Sequence, residues 1–454
     1  MVNSELSEES YVALQGGFPT VKNLRVSILI CAMLCLSTLS YGSGLSITNV
    51  RRGTYDYGSG NVELKFDVTW LGSWRTSSAP GNWDAVWLFV KFRVGGGPWQ
   101  HARLNSSGHI APIGTTLTTG LIDTLAPFNL TANPVVGAFL YRSSNGAGTL
   151  ILSDVVLNWN FAANGVVSGN AVDVKVYGIE MAYVPQGEFY AGDNATGDGA
   201  FKQGSSDNDP WYISSESAFS VTNSAGNGTG AGQTAGVYYY VNGSGGGGDA
   251  TGSAFTVPAE YPKGYGGFYV MKGEISQGEW VSFFNTLDTT QKTTRDITSN
   301  ANNGKNTDGL SFRNNVSWSS GDATLPGGAT NYSAVAANYL SWGDLISYLD
   351  WAGLRPLSEL EYEKAGRGPT AALSGEYAWG STSITGATSI SNGGTVSERG
   401  QTGSNITYNN AGGVQGPLRV GSHGGGVNNR VASGASYYGI FDLSGNVWER
   451  PVTV

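Results

Sequence analysis

The sequence predicts an all-β sandwich of the immunoglobulin or fibronectin kind followed by a mixed α+β region, and three observations support this. In residues 44–178, several runs alternate apolar and polar side chains, which is the pattern of half-buried strands. In residues 179–454, short amphipathic helical patterns are separated by long glycine-rich stretches. Glycine makes up 68 of the 454 residues and charged residues only 13%, so we expect long loops and little regular structure in the second part.

The overall composition limits the classes of partner. The chain has a formal net charge of −9 and a sequence pI near 4.9, so its charge does not favour binding to nucleic acid or to an anionic membrane. Aromatic residues make up 11% of the chain, whereas a disordered chain would be poor in them. We therefore expect folded domains whose partner is a protein or a glycan.

The N-terminal residues have the features of a signal peptide. Lys22 and Arg25 precede an apolar run at residues 26–36, and small residues follow at Ser40 and Gly42. The run is too short for a membrane-spanning helix. We therefore expect the mature protein to be exported to the periplasm, the cell surface or the medium, without a membrane span.

The bounds of this signal peptide also determine whether the mature chain contains cysteine. We place it at residues 1–43, and because residues 1–20 carry three glutamates, Val21 is an alternative initiator. Cys31 and Cys35, the only cysteines of the sequence, lie in its apolar run. The mature chain is therefore expected to contain no thiol and no disulfide.

The predicted sandwich, residues 44–178, rests on strand patterns at residues 62–68, 85–92, 149–161 and 172–177. Its tryptophans could form a carbohydrate-binding platform or could pack in the core; they are Trp70, Trp74, Trp83, Trp87 and Trp99. Alternation places Trp87 on the same face as Phe89, and this favours packing in the core.

Helix starts are the clearest local signals in residues 179–454. Three serines are each followed three residues later by an acidic residue, the spacing of a capping box; the pairs are Ser276 and Glu279, Ser341 and Asp344, and Ser358 and Glu361. Residues 193–252 form an insertion rich in glycine, serine and asparagine, which is either surface decoration, the favoured interpretation, or a binding lid. Arg355 and Arg367 are predicted to form structural ion pairs rather than to bind a substrate.

Four stretches, in order along the chain, resemble the sulfatase-modifying-factor family, the formylglycine-generating-enzyme-like domain. They are residues 179–192 (IEMAYVPQGEFYAG), 268–287 (FYVMKGEISQGEWVSFFNTL), 340–368 (LSWGDLISYLDWAGLRPLSELEYEKAGRG) and 438–450 (YGIFDLSGNVWER). The sequence departs from the family pattern where Pro356 precedes Leu357, an inversion of the usual order, and where Tyr362 replaces a tryptophan. The resemblance implies an α+β fold of the C-type-lectin-like kind for residues 179–454.

The resemblance also implies a calcium site. Residues matching Asp442 and Glu449 bind calcium through their side chains in the family, and those matching Gly445 and Val447 bind it through their carbonyl oxygens. Such a set of hard oxygen ligands suits calcium. The alternative interpretation is a Gly-Asn turn that buries Trp448, with Glu449 paired to an arginine.

The family's oxidase activity needs a cysteine pair that binds copper, and in the family this pair follows the segment that resembles residues 438–450. The sequence ends at Val454, so we expect the domain to be incomplete at its C-terminus. We therefore expect no catalytic residues in this chain and a calcium-stabilised binding module. The alternative is an oxidase that converts a sulfatase cysteine to formylglycine, with copper, if a further segment supplies the cysteines.

Overall fold

The computed structural model describes residues 39–40, 44–121, 135–167, 169–193, 200–203, 209–221, 237–240, 254–408, 414–423 and 429–454. The predicted signal peptide, with its cleavage site and both cysteines, therefore lies outside the described residues, apart from the backbone of residues 39–40. No helix in these ranges has the length and apolar character needed to cross a membrane.

The first part of the chain is built from antiparallel strands, which confirms its predicted β-rich character. They are β1 Leu39–Ser40, β2 Leu45–Asp56, β3 Asn61–Arg75, β4 Asp84–Val94, β5 Gln100–His101, β6 Thr115–Leu121, β7 Val135–Arg142, β8 Gly146–Asn160 and β9 Val172–Val184. One sheet has the order β1-β2-β3-β8, and a second contains β9-β4-β7-β6 with β5 beside β4. A core of buried side chains from both sheets lies between them; its largest members are Phe66, Trp70, Phe92, Trp159 and Phe161.

The remaining strands are short, and the helices are short as well. The strands are β10 Phe189–Ala191, β11 Ala200–Gln203, β12 Trp211–Ile213, β13 Phe219–Val221, β14 Val237–Tyr240, β15 Phe255–Val257, β16 Phe268–Met271, β17 Ile390–Ser391 and β18 Arg399–Gly400. The α-helices are α1 Gln277–Phe284, α2 Thr289–Thr294, α3 Trp342–Ala352, α4 Glu359–Arg367 and α5 Arg430–Ser433, with 3₁₀ turns at Ala162–Asn164, Asn300–Asn302 and Gly328–Thr330.

The two parts of the chain share one sheet. Strand β9 crosses the predicted domain boundary at residue 178 without a break, and its last residues pair with β16. A buried ion cluster reinforces the junction, because Lys272 Nζ lies 2.7 Å from Asp84 Oδ2 and 3.3 Å from Glu180 Oε2. The second sheet thus extends from the first part of the chain into residues 254–454.

The other face of the second sheet packs against the helices of the second part. Trp87 and Phe89 lie on this face, both almost fully buried, in a cluster with Trp280, Tyr348 and Trp351. The indole Nε1 of Trp87 donates to the carbonyl of Ala352 at 2.8 Å. The prediction that Trp87 and Phe89 share a buried face is confirmed, and alternation along β4 explains why its other side chains face the first sheet.

Trp87 also explains two glycines of the neighbouring strands. A Cβ atom on Gly120 would lie 2.3 Å from the indole ring, and one on Gly137 would lie 2.5 Å from it. Only glycine leaves room for the ring at these positions, so the sheet is shaped around this tryptophan.

All three predicted capping boxes are present, before α1, α3 and α4. Helix α3 ends at Gly353 in the left-handed conformation, which glycine adopts without strain. The predicted ion pairs are also confirmed: Arg355 binds Glu361, and Arg367 binds Glu363 and Glu376.

The described parts of the insertion at residues 193–252 include four short strands, β11 to β14. Phe201, Trp211, Ile213 and Val221 are buried together, and they pack against Leu360 of α4. The apolar residues of the insertion therefore add a layer over α4.

Candidate functional site

A large cleft lies between the helix-facing side of the second sheet, the end of α3 and residues 440–451. Its volume is about 1460 Å³. Most of the lining side chains are apolar; they include Phe139, Met181, Tyr269, Leu345, Leu349, Leu354, Pro356, Tyr362 and Trp448. Charged or titratable side chains line it as well; they are Lys91, His101, Glu274, Asp350, Arg355, Glu449 and Arg450.

The four predicted calcium ligands lie together beside this cleft, in a loop of residues 442–449 that we call the carboxylate loop. Asp442, Gly445 and Asn446 have φ values of 61°, 104° and 63°, a conformation that asparagine, aspartate and glycine tolerate best. A Cβ atom on Gly445 would lie 2.5 Å from the Ile406 side chain, so this position requires glycine for space as well.

Glu274 holds the carboxylate loop in place, although no sequence pattern predicted it as a site residue. Its Oε1 accepts from the backbone N–H of Val447 at 2.8 Å, and its Oε2 accepts from the Asn446 amide at 2.5 Å. Asn446 is fixed further by the N–H of Leu418, which donates to its Oδ1 at 2.8 Å. The signal for Glu274 was its place in the stretch FYVMKGEISQ, which resembles the family, but nothing local linked it to the loop.

Three acidic side chains therefore lie close enough to interact electrostatically. Burial, followed by repulsion from Asp442 and Glu449, raises the pKa of Glu274 well above its usual range. Burial raises the pKa of Asp442 to about 6, although the Gly421 N–H and Arg419 oppose the rise. Burial and then Asp442 raise the pKa of Glu449 to about 8. Each carboxylate is costly to ionise here, and a cation would remove that cost.

The donor atoms left open in the carboxylate loop fit calcium. Glu449 Oε1 is buried and has no hydrogen-bond partner within the described chain. One oxygen of Asp442 accepts from the Gly421 N–H at 2.6 Å, which leaves its Oδ1 available. Both oxygens of Glu274 are used by the loop itself, so Glu274 positions the loop. The carbonyls of Gly445 and Val447 accept no hydrogen bond from the described residues.

No group of three or more His, Cys, Asp and Glu side chains in the described ranges is arranged to hold a metal ion by itself. The predicted calcium site does not need such a group, since only Asp442 and Glu449 would bind through side chains. The rest of the coordination would come from backbone carbonyls and water, which calcium accepts readily.

Trp448 contradicts the alternative interpretation of this segment as a turn that buries it. Its side chain is 89% exposed, the most exposed tryptophan among the described residues, and it lies at the wall of the cleft. The neighbouring backbone is held by Glu274, so this ring is presented on a fixed loop. A fixed, exposed indole is a common anchor in binding sites.

Comparison with known proteins identifies the second part of the chain. The family model of the sulfatase-modifying factor enzyme 1-like domain matches residues 242–451, which include α1 to α5, the carboxylate loop and most of the cleft wall. Searches of curated proteins and of solved structures gave no significant match. Residues 242–451 belong to the sulfatase-modifying factor enzyme 1-like family.

Proposed function

We propose that this protein is an exported, non-catalytic binding module whose cleft takes an extended polypeptide segment with apolar side chains. The observation that carries the proposal is the cleft, with its apolar walls and with Trp448 exposed on a fixed loop. Ligand sites in proteins are typically concave and apolar, with a few polar groups that fix orientation. In this proposal the sandwich is immunoglobulin-like and the second part is C-type-lectin-like.

A polypeptide suits this cleft better than a glycan does. Most of the side chains that line the walls are aromatic or aliphatic, and the charged side chains are a minority. A glycan needs many hydrogen-bonding partners along its length, whereas apolar side chains of a peptide gain free energy from burial alone. A glycan partner is therefore the competing outcome in the test below.

Calcium has a structural role in this proposal. Asp442 and Glu449 with the carbonyls of Gly445 and Val447 would hold the ion, and the ion would neutralise the buried carboxylates. Its effect on the cleft is indirect: it fixes the loop that presents Trp448. The ion supplies no chemistry to a ligand.

The alternative function, oxidation of a sulfatase cysteine, needs soft thiolate ligands for copper. Residues 36–454 contain no cysteine, so that chemistry would require thiols from a further segment. The described residues of the cleft contribute apolar contacts and carboxylates, which fit binding rather than copper chemistry.

Replacing Trp448 with alanine is expected to weaken peptide binding by about tenfold or more, because an exposed aromatic anchor contributes strongly to such sites. The peptides would be selected from a random displayed library on the wild-type protein, and their affinities would be measured by fluorescence anisotropy. We expect the selected sequences to be rich in apolar residues.

Trp342→Ala is the matched control, because Trp342 is 39% exposed and does not line the cleft. It should bind the selected peptides as the wild type does. Equal binding by Trp448→Ala, or the absence of any enriched peptide together with specific binding on a glycan array, would contradict the proposal.

A further inference from the structure

Positive charge collects beside the part of the cleft that Lys91, Trp99 and His101 line. Lys91 and Arg93 follow Trp87 and Phe89 on the same face of β4, and Lys175 is the direct cross-strand partner of Lys91 on β9. Arg93 and Lys175 each lie 4.8 Å from the ring centre of Trp99. We call Lys91, Arg93, Lys175 and Trp99, together with His101, the cationic end. In a chain with a net charge of −9, such a cluster is a local exception.

Lys91 is the buried member of the cationic end. Its side chain lines the cleft, yet the residue is only 5% exposed. Its Nζ lies 3.0 Å from Nδ1 of His101, whose Nε2 lies 2.5 Å from the carbonyl oxygen of Val136. Because a carbonyl can only accept, the imidazole proton is on Nε2, and Nδ1 accepts from Lys91. A lysine ammonium has three N–H groups, and His101 uses one of them.

The surroundings of Lys91 do not neutralise its charge. No carboxylate of the described residues lies within ion-pairing distance, and the nearest influence of opposite sign is Asp350 of α3. The rings of Trp351 and Phe89 lie 5.7 and 5.9 Å from Nζ. Burial lowers the pKa of Lys91 to about 7, and Asp350 opposes this only in part. A buried cation without a counter-ion is costly, and an anionic ligand would relieve that cost.

We propose that the cationic end is a carboxylate-binding subsite, in which Lys91 binds the carboxylate of a ligand whose apolar part lies along the cleft. The inference rests on the proposed function, because the ligand occupies the same cleft. It adds that Lys91 fixes the direction in which the ligand lies. For a bound polypeptide, the carboxylate is that of an acidic side chain or of the C-terminus. Two N–H groups of Lys91 are available to donate to the oxygens of this carboxylate.

Binding at this subsite is coupled to proton uptake. Three titratable groups from other elements face Lys91; they are His101 of β5, Asp350 of α3 and Lys175 of β9. Arg93, on the same face of β4 as Lys91, is paired with Asp173. Burial and Lys91 lower the pKa of His101 to about 4, so the imidazole stays neutral at neutral pH. A carboxylate binds the protonated form of Lys91, so its affinity is greatest below the pKa of about 7 and falls as pH rises above it.

The test uses 4-phenylbutyrate and its uncharged amide, which share a shape and differ in charge. In titration calorimetry at about pH 6, the wild type should bind the carboxylate about tenfold more tightly than the amide. At about pH 8.5, the carboxylate should lose about tenfold or more in affinity while the amide is unchanged. Equal affinities for the two probes at about pH 6, or no binding of the carboxylate, would overturn the inference.

Two variants test whether Lys91 is the group that binds the carboxylate of the probe. Lys91→Met should remove the preference for the carboxylate, and Asp350→Asn should strengthen carboxylate binding about two- to fivefold, because it removes a competing negative charge. Trp342→Ala, at an exposed residue that does not line the cleft, should leave the affinities for both probes unchanged. The two probes contain no peptide, so their result is separate from that of the peptide-binding test. An unchanged carboxylate preference in both Lys91→Met and Asp350→Asn, with native melting curves, would assign the probe to another site and overturn the inference.

Discussion

Replacing Lys272 with methionine is expected to lower the free energy of unfolding by about 3–5 kcal/mol, because it leaves two buried carboxylates without their cation. Lys272, Asp84 and Glu180 are all buried. Burial alone would lower the pKa of Lys272, but attraction by Asp84 and Glu180 raises it above its usual range. Methionine keeps the length and apolar stem of the side chain, so the loss reports the charge and not the packing.

The measurement is urea unfolding followed by circular dichroism, with Arg51→Met as the control. Arg51 pairs with Asp67 and Asp154 at the surface, where an ion pair contributes about 0–1 kcal/mol. Because Lys272 follows β16 while its partners belong to β4 and β9, the loss should weaken the junction between the two parts. Equal, small losses in both variants would contradict the account of the shared sheet.

The second large effect concerns Glu449→Gln, whose consequence is expected to depend on calcium. With calcium at about 100 times its dissociation constant, the wild type gains about 2.7 kcal/mol of stability, and the variant should gain none. In a chelator the two proteins should melt alike below about pH 4.5, where the Glu449 carboxyl of the wild type is protonated in both the folded and the unfolded state. Near pH 7 the variant should be the more stable, because only the unfolded wild type gains free energy by ionising this carboxyl.

The pH dependence of stability in chelator follows from the raised pKa of Glu449. The pKa of Glu449 is raised from 4.5 to about 8 in the folded protein, so between these values the folded state binds more protons than the unfolded state. The stability of the metal-free wild type should therefore fall as pH rises through this window, and Glu449→Gln should reduce the fall. Glu260→Gln, the same change at an exposed glutamate, is the control and should behave as the wild type does.

Local patterns predicted the parts of the fold that depend on neighbours in sequence. The capping boxes at Ser276, Ser341 and Ser358 each involve residues three positions apart, and all three are present. Alternation along β4 placed Trp87 with Phe89 correctly, because the direction of a side chain on a strand follows from its position. These features need no knowledge of the tertiary structure.

The rest of the site depends on contacts that no local pattern contains. Glu274 and Asn446 are 172 positions apart, and only the packing of the folded chain brings them together. The environment of Lys91 also depends on tertiary packing, since Trp351 and Asp350 come from a helix that is distant in sequence. The exposure of Trp448 was also not predictable, because an apolar residue beside a turn is buried or exposed according to what packs over it.

The central claim is that the carboxylate loop binds calcium and so fixes the wall of the cleft. Calorimetric titration of the metal-free protein with calcium tests it most directly. The account predicts binding of one calcium ion per chain, abolished in Asp442→Asn and in Glu449→Gln and retained in Glu260→Gln. Absence of binding to the wild type, or equal binding by the wild type and Glu449→Gln, would contradict it.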